Sequence, residues 1–167
     1  MFINGLCHKG EKMNYFIDML TNPLFASAAL GWFVAQFLKM IIYLIVNKEL
    51  RFERFLGNGG MPSSHSATVC ALATATALNY GVKGFEFPMV AFFAIIVMND
   101  AMGVRLETGK QAKVINDMLT MFKEMPQWKP EHAHDHLKEF VGHTPIQIFV
   151  GAVLGISIAL IYYNLLH

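Results

Sequence analysis

Charge is what this sequence has least of. Only 15% of its 167 residues are Asp, Glu, Lys or Arg, where a soluble domain carries about 25%. With 54% hydrophobic residues and a mean hydropathy of +0.41, that shortage excludes an ordinary soluble domain and indicates an integral membrane protein. The net charge of +1 leaves no basic excess, so nucleic acid is excluded as a partner. Cysteine is scarce too: Cys7 and Cys70 form neither a metal-type spacing nor a disulfide framework. The first twelve residues, MFINGLCHKGEK, lack the apolar core of a signal peptide. They read as an extension, with Met13 as the expected native start. The length allows one domain. The organisation expected is an N-terminal extension and interfacial segment over 1–21, then a single membrane-embedded helical domain over 22–167.

What is present in abundance is long apolar runs, with 14 Phe and 11 Met. Residues 13–21 carry Tyr15, Phe16, Met19 and Leu20 and predict a short helix at the membrane surface. Asn22-Pro23 reads as a cap and first helical position. Leu24 to Val46 is then long enough to cross a bilayer core of about 30 Å. Gln36 and Lys39 interrupt this span and share one helix face. A lysine at such a place either faces a protein interior or watery cavity, or snorkels to the helix end. Residues 63–80 form a second span rich in small residues. Ala67, Ala71 and Ala75 recur every fourth position and suit close helix approach at the centre of a bundle.

Phe87 to Val104 predicts a third span. Asp100 near its end needs a partner, either Arg105 or Lys39. Residues 110–125 have the spacing of an interfacial amphipathic helix. His132, His134 and His136 cluster in a polar stretch, but no further ligand set completes a metal site. The last span is Pro145 to Leu166. Its Gly151 and Gly155 form a packing face, serving either the monomer or a homo-oligomer. The fold expected is therefore all-α, an integral membrane helical bundle with about four transmembrane helices and one or two interfacial ones.

The stretch that does not belong in this pattern is Gly59-Gly60-Met61-Pro62-Ser63-Ser64-His65-Ser66. Pro62 suits the first turn of a helix, which places Ser63, Ser64 and His65 at its positive end. Such an end attracts anions. Two hydroxyls and an imidazole there read either as a phosphate pocket with its own proton donor, or as a helix cap and a satisfied polar residue. Four spans decide what else comes near it. His65 and His143 each begin a span, and Lys39 and Asp100 each lie near the end of one, so all four fall on one side of the membrane. Loops 48–61 and 105–144 hold most of the Lys and Arg, and the positive-inside rule turns that side to the cytoplasm of a plasma (inner) membrane.

The octet, together with Asp100-Ala101-Met102-Gly103-Val104-Arg105, Gly109, Gln111-Ala112, Asn116 and Gly142-His143-Thr144-Pro145, closely resembles the divergent branch of the type 2 phosphatidic acid phosphatase family. That branch is related to acid phosphatases and vanadium-dependent haloperoxidases. The resemblance runs from about Asn22 to Leu166. It implies a metal-free helical-bundle enzyme, without cofactor, that cleaves a phosphate monoester or pyrophosphate of a lipid. It implies His143 as the nucleophile forming a phosphohistidine, and His65 as the general acid. Ser63, Ser64, Lys39, Arg54, Arg105 and Lys138 would hold the phosphoryl oxygens. Gln147 stands where the family's aspartate orients the nucleophile, and Asp100 is the carboxylate that could serve instead. The partners implied are a phosphorylated lipid substrate and membrane lipids. A non-catalytic binder or carrier of a phosphorylated lipid is the alternative.

Overall fold

Asn22 and Pro23 open the first long helix of the computed structural model, which describes residues 11–48, 60–124, 137 and 142–166. The Asn22 side-chain oxygen accepts from the N–H groups of Leu24 and Phe25, at 2.9 and 3.4 Å. Pro23 takes the position where a missing N–H costs nothing. Before this cap lies α1 (Glu11–Thr21), and after it α2 (Pro23–Asn47), α3 (Ser64–Tyr80), α4 (Glu86–Met102), α5 (Val104–Lys123) and α6 (Pro145–Leu166). The protein is all-α, and no strand occurs among the described residues.

α3 sits at the centre, packed against α2, α4 and α6. Its composition explains why. Ala67 and Ala71 are fully buried and Ala75 nearly so, which lets three neighbours approach its backbone. α2 meets it at Gly31, where a Cβ would stand 2.9 Å from the Ala67 carbonyl oxygen and 3.0 Å from the Ala71 Cβ. α6 meets it at Gly151, against the Ser63 carbonyl, and at Gly155, against the Ala67 backbone. The glycine pair, left open in the sequence between monomer and oligomer, thus packs inside the chain. In lipid, where apolar side chains gain little from burial, such backbone proximity is a main source of helix association.

Among the described residues, three helical stretches are long and apolar enough to cross a membrane: Pro23–Asn47, Glu86–Lys123, which holds α4 and α5, and Pro145–Leu166. The expected count of four rests on α3. At 17 residues it is about 25 Å long, short of the bilayer core. It is also the helix most enclosed by the others.

Two expectations about boundaries need correction. Pro62 does not open α3. Ser63 is the cap, its Oγ accepting from the Ser66 N–H at 3.3 Å, so Pro62 lies one position outside the helix. The third span does not run to Val104, and the amphipathic helix does not wait for residue 110. Gly103, at φ −90° and ψ −94°, ends α4 at Met102, and α5 starts at once. The Gly103 N–H closes α4 on the Asn99 carbonyl at 2.8 Å, while its own carbonyl accepts from Glu107 at 3.0 Å. Apolar and amphipathic patterns overlap across this break, so periodicity alone does not mark it.

Among the described helices α5 packs on α4 alone. It has three faces: a buried one of Gly109, Ala112 and Asn116, an exposed apolar one around Ile115, Met118 and Phe122, and an exposed charged one with Lys110, Lys113 and Asp117. That division suits a helix lying at the membrane surface.

Candidate functional site

His65 falls in the first turn of α3, two residues past its cap, and His143 stands two residues before α6. A backbone bond locks these two helix starts together: the Ser63 N–H donates to the Gln147 carbonyl in the first turn of α6, at 3.1 Å. The imidazoles meet in consequence. Their centroids are 5.8 Å apart, with the rings at 64°, edge to face. His143 is 1% exposed and His65 only partly exposed.

Gln147 settles the state of His143. Its Oε1 lies 3.3 Å from His143 Nδ1 and accepts from the Thr144 N–H at 3.0 Å. A backbone N–H can only donate, so the atom facing it is the amide oxygen. That oxygen cannot donate to Nδ1, so Nδ1 carries a proton, and in the neutral ring Nε2 is the nitrogen with the lone pair. The neutral ring is therefore held in the tautomer a nucleophile needs. Burial pushes the His143 imidazole below the ordinary histidine value. The Gln147 bond opposes this, and the charges of Lys39, His65 and Arg105 add to it.

Cationic groups arrive from two other helices. Lys39 of α2 is 5% exposed, its stem lying under Gly60; a Cβ there would stand 3.3 Å from Lys39 Cγ, and its φ of +84° suits glycine. Of the two placements left open, the interior one is found. Arg105 lies in the first turn of α5, and both cations are close enough for their charges to act on both imidazoles. Asp100 is paired with Arg105, Nε to Oδ2 at 2.6 Å. Its charge also acts on His65, but the group on His143 Nδ1 is Gln147.

Ser63 is fully buried and Ser64 5% exposed. The Ser63 hydroxyl accepts from both the N–H and the hydroxyl of Ser66, so it serves as the cap of α3. Among the described residues, the buried side-chain atoms His65 Nδ1 and Gln36 Oε1 have no hydrogen-bond partner. Gln36 lies one turn from Lys39 on the same buried face of α2. Unpaired polar atoms inside a helix bundle are rare.

The model of the Divergent PAP2 family matches residues 20–158. The chain belongs to that family. It is 41% identical over 153 residues to the uncharacterized membrane protein YuiD of Bacillus subtilis (strain 168), a match covering 87% of this chain and 96% of the relative. No solved structure matches it.

Two predicted phosphate ligands of this Divergent PAP2 chain, Arg54 and Lys138, lie outside the described residues, as do His132, His134 and His136. Three residues matter to the site in ways the sequence does not reveal. Gly142 sits against the backbone of Leu106 and Arg105, where no Cβ fits. Ala101 takes the His143 N–H on its carbonyl at 3.0 Å. Asn116, quoted above only as part of a resemblance, bonds the backbone at Leu137. Each acts through main-chain atoms distant in sequence, which residue types do not advertise.

Proposed function

We propose that this protein is a membrane phosphatase, hydrolysing a phosphate ester or pyrophosphate of a lipid through a phosphohistidine intermediate. The observation that carries this reading is the pair of imidazoles 5.8 Å apart, one of them buried with its Nδ1 against the Gln147 amide oxygen, so that Nε2 is the nitrogen left for attack. His143 Nε2 attacks phosphorus and the bond to the lipid oxygen breaks. His65, in its protonated form, gives that oxygen its proton. His65 then takes a proton from water as the water attacks the phosphohistidine, releasing phosphate and restoring both rings. Lys39 and Arg105 neutralise the phosphoryl oxygens, which is most of what phosphoryl transfer asks of a protein. Asp100 holds Arg105 in place. Arg54 and Lys138 join them as further phosphate ligands in this reading, and Ser64 offers its hydroxyl. The lipid tail stays in the bilayer beside the helices, and the charge asymmetry of the loops turns the site to the cytoplasm of a plasma membrane.

One observation favours a second reading, a protein that binds or carries a phosphorylated lipid without cleaving it. Gln147 orients His143 but, unlike a carboxylate, cannot stabilise the imidazolium by charge. Gln147→Glu keeps the acceptor and adds that charge. A gain in hydrolysis beyond about a hundredfold would mean that the native site was built for holding rather than cleaving.

The deciding experiment measures phosphate release from a panel of lipid phosphates and pyrophosphates by purified protein in detergent, beside His65→Ala and His143→Ala. The phosphatase reading expects release by the wild type and its loss, by on the order of a thousandfold or more, in both variants. Binding of a phosphorylated lipid with no release from any substrate would leave the carrier reading standing alone.

A further inference from the structure

Asn116 is a buried polar side chain that the chemistry above does not use. It is 5% exposed and lies on the face of α5 shared with Gly109 and Ala112, whose small side chains let another segment lie close. Its carboxamide is bonded twice to a residue 21 positions away. Asn116 Nδ2 donates to the Leu137 carbonyl, and the Leu137 N–H donates to Asn116 Oδ1, each at 2.9 Å. A carboxamide offers the donor and acceptor of a peptide group, so it pairs with Leu137 as a neighbouring strand would. Both bonds go to the main chain, so the hold depends on Asn116 and not on the side chain of Leu137.

The chain held in this way is the one that delivers His143, six residues further on. A second hold lies beside the histidine itself: Gly142 sits on the backbone of Leu106 and Arg105, and the His143 N–H donates to Ala101. Both holds belong to the α4–α5 unit. Among the described helices α5 packs on α4 alone, so it lies outside the packing of α2, α3 and α6. One residue of its buried face, Asn116, is bonded to the chain that approaches the site.

We infer that Asn116 is a positioning residue for His143, fixing from α5 the chain that presents the nucleophile to the phosphoryl group. This rests on the phosphatase reading of the site. The hold does not touch phosphate, so its loss acts on the rate of the chemical step and leaves substrate binding in place.

The test compares wild type, Asn116→Ala and Asn116→Gln in detergent, with dioctanoyl phosphatidic acid and the panel above as substrates. Activity is expressed per folded protein, measured by size-exclusion chromatography. Asn116→Ala is expected to lose ten- to a hundredfold in kcat, the range typical of misplaced catalytic groups, with KM within about twofold. Asn116→Gln keeps both hydrogen-bonding groups and recovers part of the loss. The acid limb of the kcat/KM profile rises toward the ordinary histidine value in Asn116→Ala, because a loosened His143 is less buried. The groups facing that ring, Lys39 from α2, His65 from α3, Arg105 from α5 and Gln147 from α6, are unchanged in the variant. A folded Asn116→Ala with kcat within twofold of wild type, or with the loss entirely in KM, overturns the inference while the phosphatase reading survives. A wild type that hydrolyses nothing removes both.

Discussion

The two histidines are held by two different kinds of structure. His65 grows from the α2–α3–α6 bundle, where Gly31, Ala67, Ala71, Gly151 and Gly155 bring backbones together. His143 is held on its other side by the α4–α5 unit, through the Ala101 carbonyl, the Gly142 contact and the Asn116 clasp. The first region is packed tightly on small side chains and has few choices of geometry. The second, although α4 itself packs on α3, reaches His143 through contacts to main-chain atoms around the α4–α5 junction. The site forms at the seam, where the backbone bond from the His143 N–H to the Ala101 carbonyl crosses it beside the rings. Stability and chemistry are therefore separable here. Damage to the bundle should unfold the protein, whereas damage to the α4–α5 holds should leave it folded and slow.

The largest effect that would sharpen this contrast is expected from Gly142→Ala. The new Cβ meets main-chain atoms of Leu106 and Arg105, which cannot step aside as a flexible side chain would. The chain at His143 must move instead. A displacement of about 1 Å costs on the order of a hundredfold in rate. Phosphate release should fall by about that factor while the melting temperature in detergent stays within a few degrees of wild type. A melting temperature that falls in step with activity would break the contrast.

Gly155→Ala is the converse. Its Cβ would enter the Ala67 backbone at the centre of the bundle. Overpacking of this kind costs about 1–3 kcal/mol. Thermal unfolding in detergent should come at lower temperature, and the protein that remains folded should retain most of its activity. Gly151 lies closer to the histidines, against the Ser63 carbonyl, so Gly151→Ala should combine both losses.

How much of this was legible in the sequence follows from the same division. The bundle was readable because its signals are local. Asn22-Pro23 caps a helix by its own chemistry, and the alanines four apart and glycines four apart mark the faces that meet. The pairing of Asp100 with Arg105 was one of two partners that spacing allowed. The site's periphery was not readable. Gly103 breaks one helix and starts another where the apolar and amphipathic patterns overlap, so the break has no local mark. The Asn116 clasp joins a side chain to a backbone 21 residues away, and nothing about Leu137 announces it. Ser63 shows the limit most clearly: a cap and a phosphate ligand call for the same residue, and only its bonds to Ser66 identify the cap.

A smaller effect belongs to the Asp100–Arg105 pair. Both side chains are about two-fifths exposed, and such pairs contribute roughly 0–1 kcal/mol to stability. Asp100→Asn should therefore leave the melting temperature nearly unchanged. Arg105 would lose the carboxylate that orients it and grip the phosphoryl group less well. The expected result is a KM several-fold higher with a smaller change in kcat, measured by steady-state phosphate release. A drop in kcat with KM intact would place Asp100 nearer the chemistry than its bond to Arg105 does.

The smallest effect tests whether the seam also stores stability. His143 is buried in its neutral form, and its proton affinity in the folded protein lies below the ordinary value of about 6.5. Unfolded chains therefore bind that proton first as pH falls. The folded state keeps its full margin above about pH 6.5 and loses it progressively between there and the lower native value. The same protonation removes the Nε2 lone pair, so the acid limb of the activity profile should fall below 6.5 as well. Replacing Gln147 by leucine removes the bond that favours the charged ring, so this limb should move further down even as the rate drops. Melting temperatures from pH 8 to pH 5, for wild type and His143→Gln, isolate the effect on stability. The wild-type slope should exceed that of the variant. Equal slopes would mean that His143 does not change its proton affinity on folding, and that the tight enclosure around it loosens in solution.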